Sequence, residues 1–277
     1  MSTTATKAPV KAVKNPTQSS STPWFLIASV FAVAALIFGA VWYAKSTPMN
    51  TMLDGFEKES TNFSLAVSDE GVITLENDPK PEAITIDIYE DFTCIYCSKL
   101  AQASDADLKE TVENGDIILN IHEMNFLDRG TIGKSTRTLA PAIAMAEAGD
   151  TEQYWNYRNL VYEEFETVSG NVGTDDELNT ALIEKGFGKK YIATAKNDEA
   201  LKRADETAAA SINLLKEISG EVSSPRVFVG EIEIDPQDSD WVAQVIAADD
   251  VTLQEMQYVE EEEEEATAAK TDGESDN

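Results

Sequence analysis

The hydrophobic pattern of this chain changes period at one point, and its two cysteines sit at the change. In "AITIDIY", Ile84, Ile86 and Ile88 alternate with Thr85, Asp87 and Tyr89, the period of two expected of a strand. From Cys94 to Glu113 the pattern becomes helical, with Leu100, Leu108 and Val112 on related faces, and Gly115 ends the run. "DIILNIHEM" then returns to strand character. Strand, helix and strand in this order predict a βαβ unit and an α/β fold.

Cys94 and Cys97 are the only cysteines in the 277 residues, and they fall where the strand turns into the helix. A sulfur at a helix N-terminus meets unpaired backbone N–H groups and the positive end of the helix dipole, so its thiolate is stabilised. A second thiol one turn later can reach back and displace a substrate sulfur, which is the two-step route of thiol–disulfide exchange. Other uses of the pair fit less well. A c-type haem motif needs His directly after the second Cys, and residue 98 is Ser. A closed zinc site needs four ligands, and beyond the two cysteines the chain has one histidine, His122. A structural Cys94–Cys97 disulfide would close a very small loop and add little stability. The residues therefore favour a redox pair, with Cys94 attacking and Cys97 resolving, and neither metal nor cofactor is expected.

Residues 135–216 carry no convincing strand. "RTLAPAIAMAEAG", "EQYWNYRNLVYEEF" and "KKYIATAKNDEALKRADETAAASINLLKEI" read as helices, and "TDDELNTALIEKG" opens with a capping box of Thr174 and Glu177 and stops at Gly186. Strands resume in "RVFVGEIEID", where Val227 and Val229, then Ile232 and Ile234, alternate about Gly230 as in a hairpin. "DSDWVAQVIAA" reads as a closing helix. Ser224-Pro225 stands just before the hairpin, at a strand start where proline is tolerated.

The charge is strongly negative, with 51 acidic and 21 basic residues and a net of −30. Such a surface repels phosphates, which argues against nucleic-acid binding. The acidity is uneven. No Asp or Glu precedes Asp54, and Glu260–Glu265 is an unbroken acidic block followed by a small, polar segment that reads as a disordered tail. Trp24–Ala44 is uncharged and apolar, long enough to cross a hydrocarbon core, with Trp24, Trp42 and Tyr43 at its ends. Lys7, Lys11 and Lys14 against the single Lys45 set the N-terminus in the cytoplasm and the remainder outside. A cleaved signal peptide is the rival reading, but the run is long and Trp42 and Tyr43 interrupt a small-x-small site. Either way the domain lies in a compartment that permits disulfides.

With "DFTCIYC", "NFLDRG", the helical insertion and "SSPRVFVG" in this order, the chain resembles the DsbA-like branch of the thioredoxin superfamily, especially the membrane-tethered Gram-positive type. The resemblance covers roughly Gly71 to Ala248. It implies a thioredoxin-like fold with an inserted helical domain, here preceded by one transmembrane helix. It implies an accessible Cys94 and a more buried Cys97, with Ile95 and Tyr96 as the active-site dipeptide. It further implies a cis Pro225 against the cysteines, with Ser224 offering backbone hydrogen bonds to a bound peptide. The expected layout is a cytoplasmic stub over 1–23, a signal anchor over 24–44 and a juxtamembrane linker over 45–70, part helical through "MLDGFEKES". A thioredoxin domain over 71–248 then carries its helical insertion at about 135–216, and an acidic tail covers 249–277.

The sequence departs from the family pattern where redox poise is set. Pro is usual after the first cysteine, and Ile95 stands there; of the usual His or Tyr before the second, Tyr96 keeps the latter. Many relatives carry an acid six positions before the first cysteine, where this chain has Ile88, and Asp87 should face the other way. No cation lies between the cysteines, and Glu90 and Asp91 are expected to raise the Cys94 pKa. This makes the expected enzyme a weaker oxidant than the strongly oxidising family members. His122, on the opposite parity from Ile117, Leu119 and Ile121, is expected to be exposed or locally hydrogen-bonded.

The function implied is a membrane-bound, extracytoplasmic disulfide oxidase. Its clients would be cysteine pairs of newly exported, unfolded proteins, and a membrane partner of quinone reductase type would reoxidise it. A reductase or isomerase uses the same two sulfurs in the other direction. A peptide-binding or chaperone module with idle cysteines is the alternative of another class.

Overall fold

The computed structural model describes residues 53–170, 174–236 and 240–248, together with Ser29, Leu253 and Met256. The expected cytoplasmic stub, signal anchor and Glu260–Glu265 block lie outside the described residues, apart from the single Ser29. Among the described residues no helix is long and apolar enough to cross a membrane.

A six-stranded sheet carries the fold. Its strands are β1 (Ser64–Val67), β2 (Ile73–Glu76), β3 (Ile84–Asp91), β4 (Ile117–Met124), β5 (Arg226–Val229) and β6 (Ile232–Ile234), in the spatial order β1-β2-β4-β3-β5-β6. The central pair, β3 and β4, is parallel, with Ile84 opposite Ile117 and Tyr89 opposite His122. A parallel pair needs a crossover, and helix α1 (Ile95–Glu113) supplies it. Every other strand pairing is antiparallel, including the β5–β6 hairpin about Gly230.

Between β4 and β5 lies the helical block. It comprises α2 (Lys134–Glu147), α3 (Thr151–Glu163), the short α4 (Phe165–Val168), α5 (Asp175–Glu184), the short α6 (Lys189–Ile192) and α7 (Asp198–Ser219). Helix α8 (Trp241–Ala247) follows the hairpin and packs on α1. The expected α/β architecture with a helical insertion is therefore the observed one. The capping box predicted for α5 is formed by both partners, Thr174 and Glu177.

The main core joins one sheet face to the helices. Ile86, Ile88, Leu119 and Ile121 from the central strands meet Cys97, Ala101, Leu108 and Val112 from α1 and aromatic residues of α3. Each large apolar side chain so removed from water contributes about 1.5–3 kcal/mol. The opposite face is covered by α7, which packs on β4, and a smaller cluster of Tyr89, Met124, Leu215 and Phe228 fills that side.

The start of the domain differs from expectation. Residues 45–70 do not all form a linker, because Leu53, Phe56 and Phe63 are buried in the main core and β1 extends the sheet. The described part of "MLDGFEKES", 53–60, is not helical either, since a turn at 53–55 is closed by the Phe56 amide donating to the Leu53 carbonyl. Strand β1 escaped sequence reading because four edge residues, alternately exposed and half-buried, make too short a pattern. Gly71, the expected boundary, lies inside the fold. It has φ +87°, and a Cβ there would stand 2.5 Å from Thr207 Cγ2.

"NFLDRG" acquires a physical role in holding the start of α2. The Asp128 carboxylate accepts hydrogen bonds from the amides of Gly133 (2.9 Å), Ser135 (3.0 Å) and Thr136 (2.8 Å), and from the Thr136 hydroxyl (2.7 Å). Gly133, the N-cap, has no side chain to do this, so Asp128 satisfies the orphan donors from outside the helix.

Candidate active site

Strand β3 delivers the chain to Cys94, which is the N-cap of α1 with extended backbone (φ −88°, ψ 118°). The Cys94 amide donates to the Asp91 carbonyl at 2.9 Å, and the Ser98 amide donates to the Cys94 carbonyl at 3.1 Å. The turn between strand and helix is thus closed on both sides. Both cysteines are free thiols.

The two sulfurs have opposite electrostatics. The Cys94 pKa is lowered from 9.0 to about 6. The largest cause is a hydrogen bond from the Cys97 thiol, opposed by burial, and the amides of Cys97 and Tyr96 add to it. These amides are the unpaired donors that a helix N-terminus offers. Burial pushes the Cys97 thiol well up, and the hydrogen bond to Cys94 and the negative charges of Cys94 and Glu90 push it further. At neutral pH the attacking sulfur is therefore largely thiolate and the resolving sulfur is thiol, the division of labour that exchange needs.

The expectation that Glu90 and Asp91 raise the Cys94 pKa is corrected, because both carboxylates are engaged elsewhere. Asp91 is buried and accepts from the Thr93 amide and hydroxyl (both 2.9 Å) and from the Leu127 amide (3.2 Å). Glu90 is clamped by Arg158 through both carboxylate oxygens. Cys94 is also less accessible than expected, at 7% exposure against 2% for Cys97. Its Sγ lies 3.4 Å from the Ser224 carbonyl oxygen, a contact in which only the protonated thiol donates.

The Ser224-Pro225 peptide bond is cis, and the loop places both residues against the cysteine turn. Beside this contact opens a groove of about 720 Å³ lined by Tyr96, Leu100, Ala103, Ser224, Pro225 and Ile234. Tyr96 is 62% exposed at its edge, with the Lys99 ammonium 5.3 Å from its ring centroid. Ile95 is exposed on the same helix turn. All six residues singled out from the sequence (Cys94, Ile95, Tyr96, Cys97, Ser224 and Pro225) therefore converge on the N-terminus of α1 and the loop before β5.

What sequence reasoning missed lies behind Cys97. Arg158 of α3 bonds both oxygens of Glu90, Nε to Oε1 and Nη2 to Oε2, each at 2.7 Å, and its Nη1 reaches Asp105 Oδ2 at 2.5 Å. Glu123 joins the cluster and accepts from the Tyr154 hydroxyl at 2.9 Å. Burial, reinforced by the Glu90 charge, pushes the Glu123 carboxyl well above the usual range. One signal was present in the sequence. Glu90 shares the parity of Ile86 and Ile88 and so faces the core. Its partner, 68 residues away in the helical block, carried none.

His122 is placed on the opposite sheet face. Its Nε2 lies 2.8 Å from Asp87 Oδ1, and its ring stacks on Tyr89 with centroids 4.1 Å apart. It is hydrogen-bonded locally, as expected, but buried rather than exposed, because α7 covers that face. Asp87 likewise points away from the cysteines, as its strand parity predicts.

Known proteins are similar to this chain in sequence and fold. The family model described as Thioredoxin matches residues 80–248. The MdbA protein of Corynebacterium diphtheriae, a thiol-disulfide oxidoreductase, superposes with a TM-score of 0.63 at 36% identity, covering 70% of this chain and 98% of that one. The MdbA protein of Corynebacterium matruchotii does so with a TM-score of 0.62 at 32% identity, covering 71% and 97%. The serine/threonine-protein kinase PknE of Mycobacterium tuberculosis is 25% identical over 167 residues, which are 58% of this chain and 29% of the kinase. The chain thus spans under a third of the length of that relative. The match over residues 80–248 and the likeness to both MdbA proteins establish that the chain belongs to the thioredoxin family, within its DsbA-like thiol–disulfide oxidoreductases.

Proposed function

We propose that this chain oxidises cysteine pairs of newly exported, unfolded proteins. A client thiolate attacks Cys94 of the disulfide form, the mixed disulfide is passed on within the client, and the reduced protein is reoxidised by a membrane partner of quinone reductase type. The observation that carries this reading is the inequality of the two sulfurs: a Cys94 thiolate stabilised with a pKa of about 6 beside a Cys97 thiol held protonated. A stabilised thiolate makes the reduced form favourable, and a protein whose reduced form is favoured is an oxidant. The groove beside Ser224-Pro225 offers room for an extended client segment at the attacking sulfur.

Residues 24–44 would hold the domain at the outer face of the cell membrane, the N-terminus remaining in the cytoplasm. The test of direction is the reduction potential of the Cys94–Cys97 pair, measured by equilibration with glutathione buffers. A value well above about −270 mV, towards the about −120 mV of the strongest oxidants, supports the oxidase. A value near about −270 mV turns the reading to a reductase. Retention of biological activity by the double variant Cys94→Ala, Cys97→Ala would instead show a binding or chaperone module.

A further inference from the structure

The redox reading leaves the Glu260–Glu265 block without a task. Two residues shortly before it are held by the domain. Leu253 is buried in the main core, and Met256 packs against that core. The Met256 carbonyl also accepts from the Asp235 amide at 3.3 Å. Asp235 follows β6 directly and, with Pro236, lines the groove beside Ser224-Pro225. Met256 therefore stands at the rim of the client groove. Only Gln257, Tyr258 and Val259 separate it from Glu260. Four residues span at most about 14 Å when fully extended, so the acidic block begins within that distance of the rim.

The groove lining by itself does not discriminate by charge. It sets Lys99 and Arg226 against Glu233 and Asp235. Arg226 donates from Nε and Nη2 to the two oxygens of Glu233 and from Nη1 to Ser223 Oγ at 3.2 Å, so this cation and this carboxylate are spent on each other. Lys99 is exposed over the Tyr96 ring. Between these groups lies a floor of Tyr96, Leu100, Ala103, Pro225 and Ile234, which an extended apolar segment of either charge would fill. Selection by charge needs an asymmetry from outside the lining, and an unbroken run of carboxylates tethered at one rim supplies it. The screening length is about 8 Å at physiological ionic strength, so charges that begin within two such lengths act on the groove's occupant, whereas those across the domain are largely screened. The same lining argues against the acidic run as occupant. Its carboxylates would give up hydration for a surface whose own charges already balance.

We propose that Glu260–Glu265 is a charge selector at the client groove, and that the preferred occupant is an extended client segment carrying Lys or Arg beside its cysteine. The carboxylates draw a cationic segment to the rim, raise its rate of encounter with Cys94 and repel an acidic one. The selector works through its field and therefore on association, leaving the exchange between Cys94 and Cys97 unchanged. The net charge of −30 gives a preference of the same sign from every side, and the block concentrates it where the client's cysteine has to enter.

The selector rests on the thiol–disulfide reading, and the experiment separates the two. The oxidised full chain, in nonionic detergent, is mixed with peptide dithiols that differ only in flanking lysines or flanking glutamates. The peptide's thiols become a disulfide as the Cys94–Cys97 disulfide becomes a pair of thiols, so electrons and protons balance with no other reactant. The second-order rate constant of this single turnover is measured at about 20 mM and about 500 mM salt. The lysine peptide is expected to react on the order of tenfold faster than the glutamate peptide at low salt, and the two to converge at high salt. Replacing every residue of Glu260–Glu265 by Gln keeps the chain's length and should remove most of that ratio. Asp69→Asn, Glu70→Gln and Glu82→Gln together should preserve it, since these exposed acids lie in the turn at the opposite sheet edge and before the far end of β3. The selector is overturned if the wild type shows no preference, if the Gln variant keeps it, or if the Asp69, Glu70 and Glu82 variant loses as much. Equal acceleration of both peptides by the Gln variant overturns it too, by showing that the acidic run covers the groove. A wild-type protein that oxidises neither peptide overturns the thiol–disulfide reading instead.

Discussion

Arg158 grips Glu90 through two parallel hydrogen bonds of 2.7 Å, with both side chains buried behind Cys97. The pair joins the helical block to the central strand, so the insertion shapes the electrostatics of the resolving sulfur. Removing Arg158 leaves Glu90 and Asp105 as uncompensated buried carboxylates. Arg158→Ala is therefore expected to lower unfolding stability by about 3–5 kcal/mol, read from urea denaturation of the reduced protein. A loss below about 1 kcal/mol would mean that the pair contributes no more than an exposed one.

The Cys94 pKa sets a pH window. It is depressed from 9.0 unfolded to about 6 folded, so the folded reduced protein releases this proton more readily than the unfolded chain. Stability from this group is fully present above about pH 9 and is lost as pH falls through about 6. The reduced protein should therefore gain stability relative to the oxidised form as pH rises across that window. Thiolate absorbance at 240 nm should show a transition centred near pH 6 that Cys94→Ala removes. A Cys94 transition near pH 9 would refute the assignment.

The groove predicts a split between binding and chemistry. Ala103 is exposed on α1 and lines the groove without touching the cysteines' hydrogen bonds. Ala103→Trp is expected to fill the groove and lower kcat/KM for a peptide dithiol roughly tenfold, equivalent to about 1.4 kcal/mol. The rise should fall on KM, while the reaction with small dithiols and the Cys94 titration stay as in the wild type. An equal loss for peptide and small dithiol would place the client elsewhere.

Asp128 anchors α2 through four hydrogen bonds from Gly133, Ser135 and Thr136. Asp128→Ala is expected to destabilise the fold by about 1–2 kcal/mol, as for loss of a strong helix cap. The thermal midpoint should fall while the Cys94 titration is retained. An unchanged midpoint would show that water replaces the carboxylate without loss.

Local pattern alone determined much of this protein. The change from period two to helical period at Cys94 located β3, α1 and the redox pair, because strand parity and helix periodicity are properties of neighbouring residues. The capping box at Thr174 and the Val227–Ile234 hairpin were legible for the same reason. The family resemblance places Ser224-Pro225 beside the cysteines, where the Ser224 carbonyl meets Cys94. The Ser64–Val67 strand was not legible, since a short, half-exposed edge owes its existence to pairing with β2. His122 became buried only because α7 folds over its face. Proximity in sequence makes Glu90 and Asp91 the expected perturbers of Cys94. Tertiary structure reassigned them, giving Asp91 to the Leu127 turn and Glu90 to Arg158. Electrostatics depends on distance through space and on burial, and neither is written in a one-dimensional pattern.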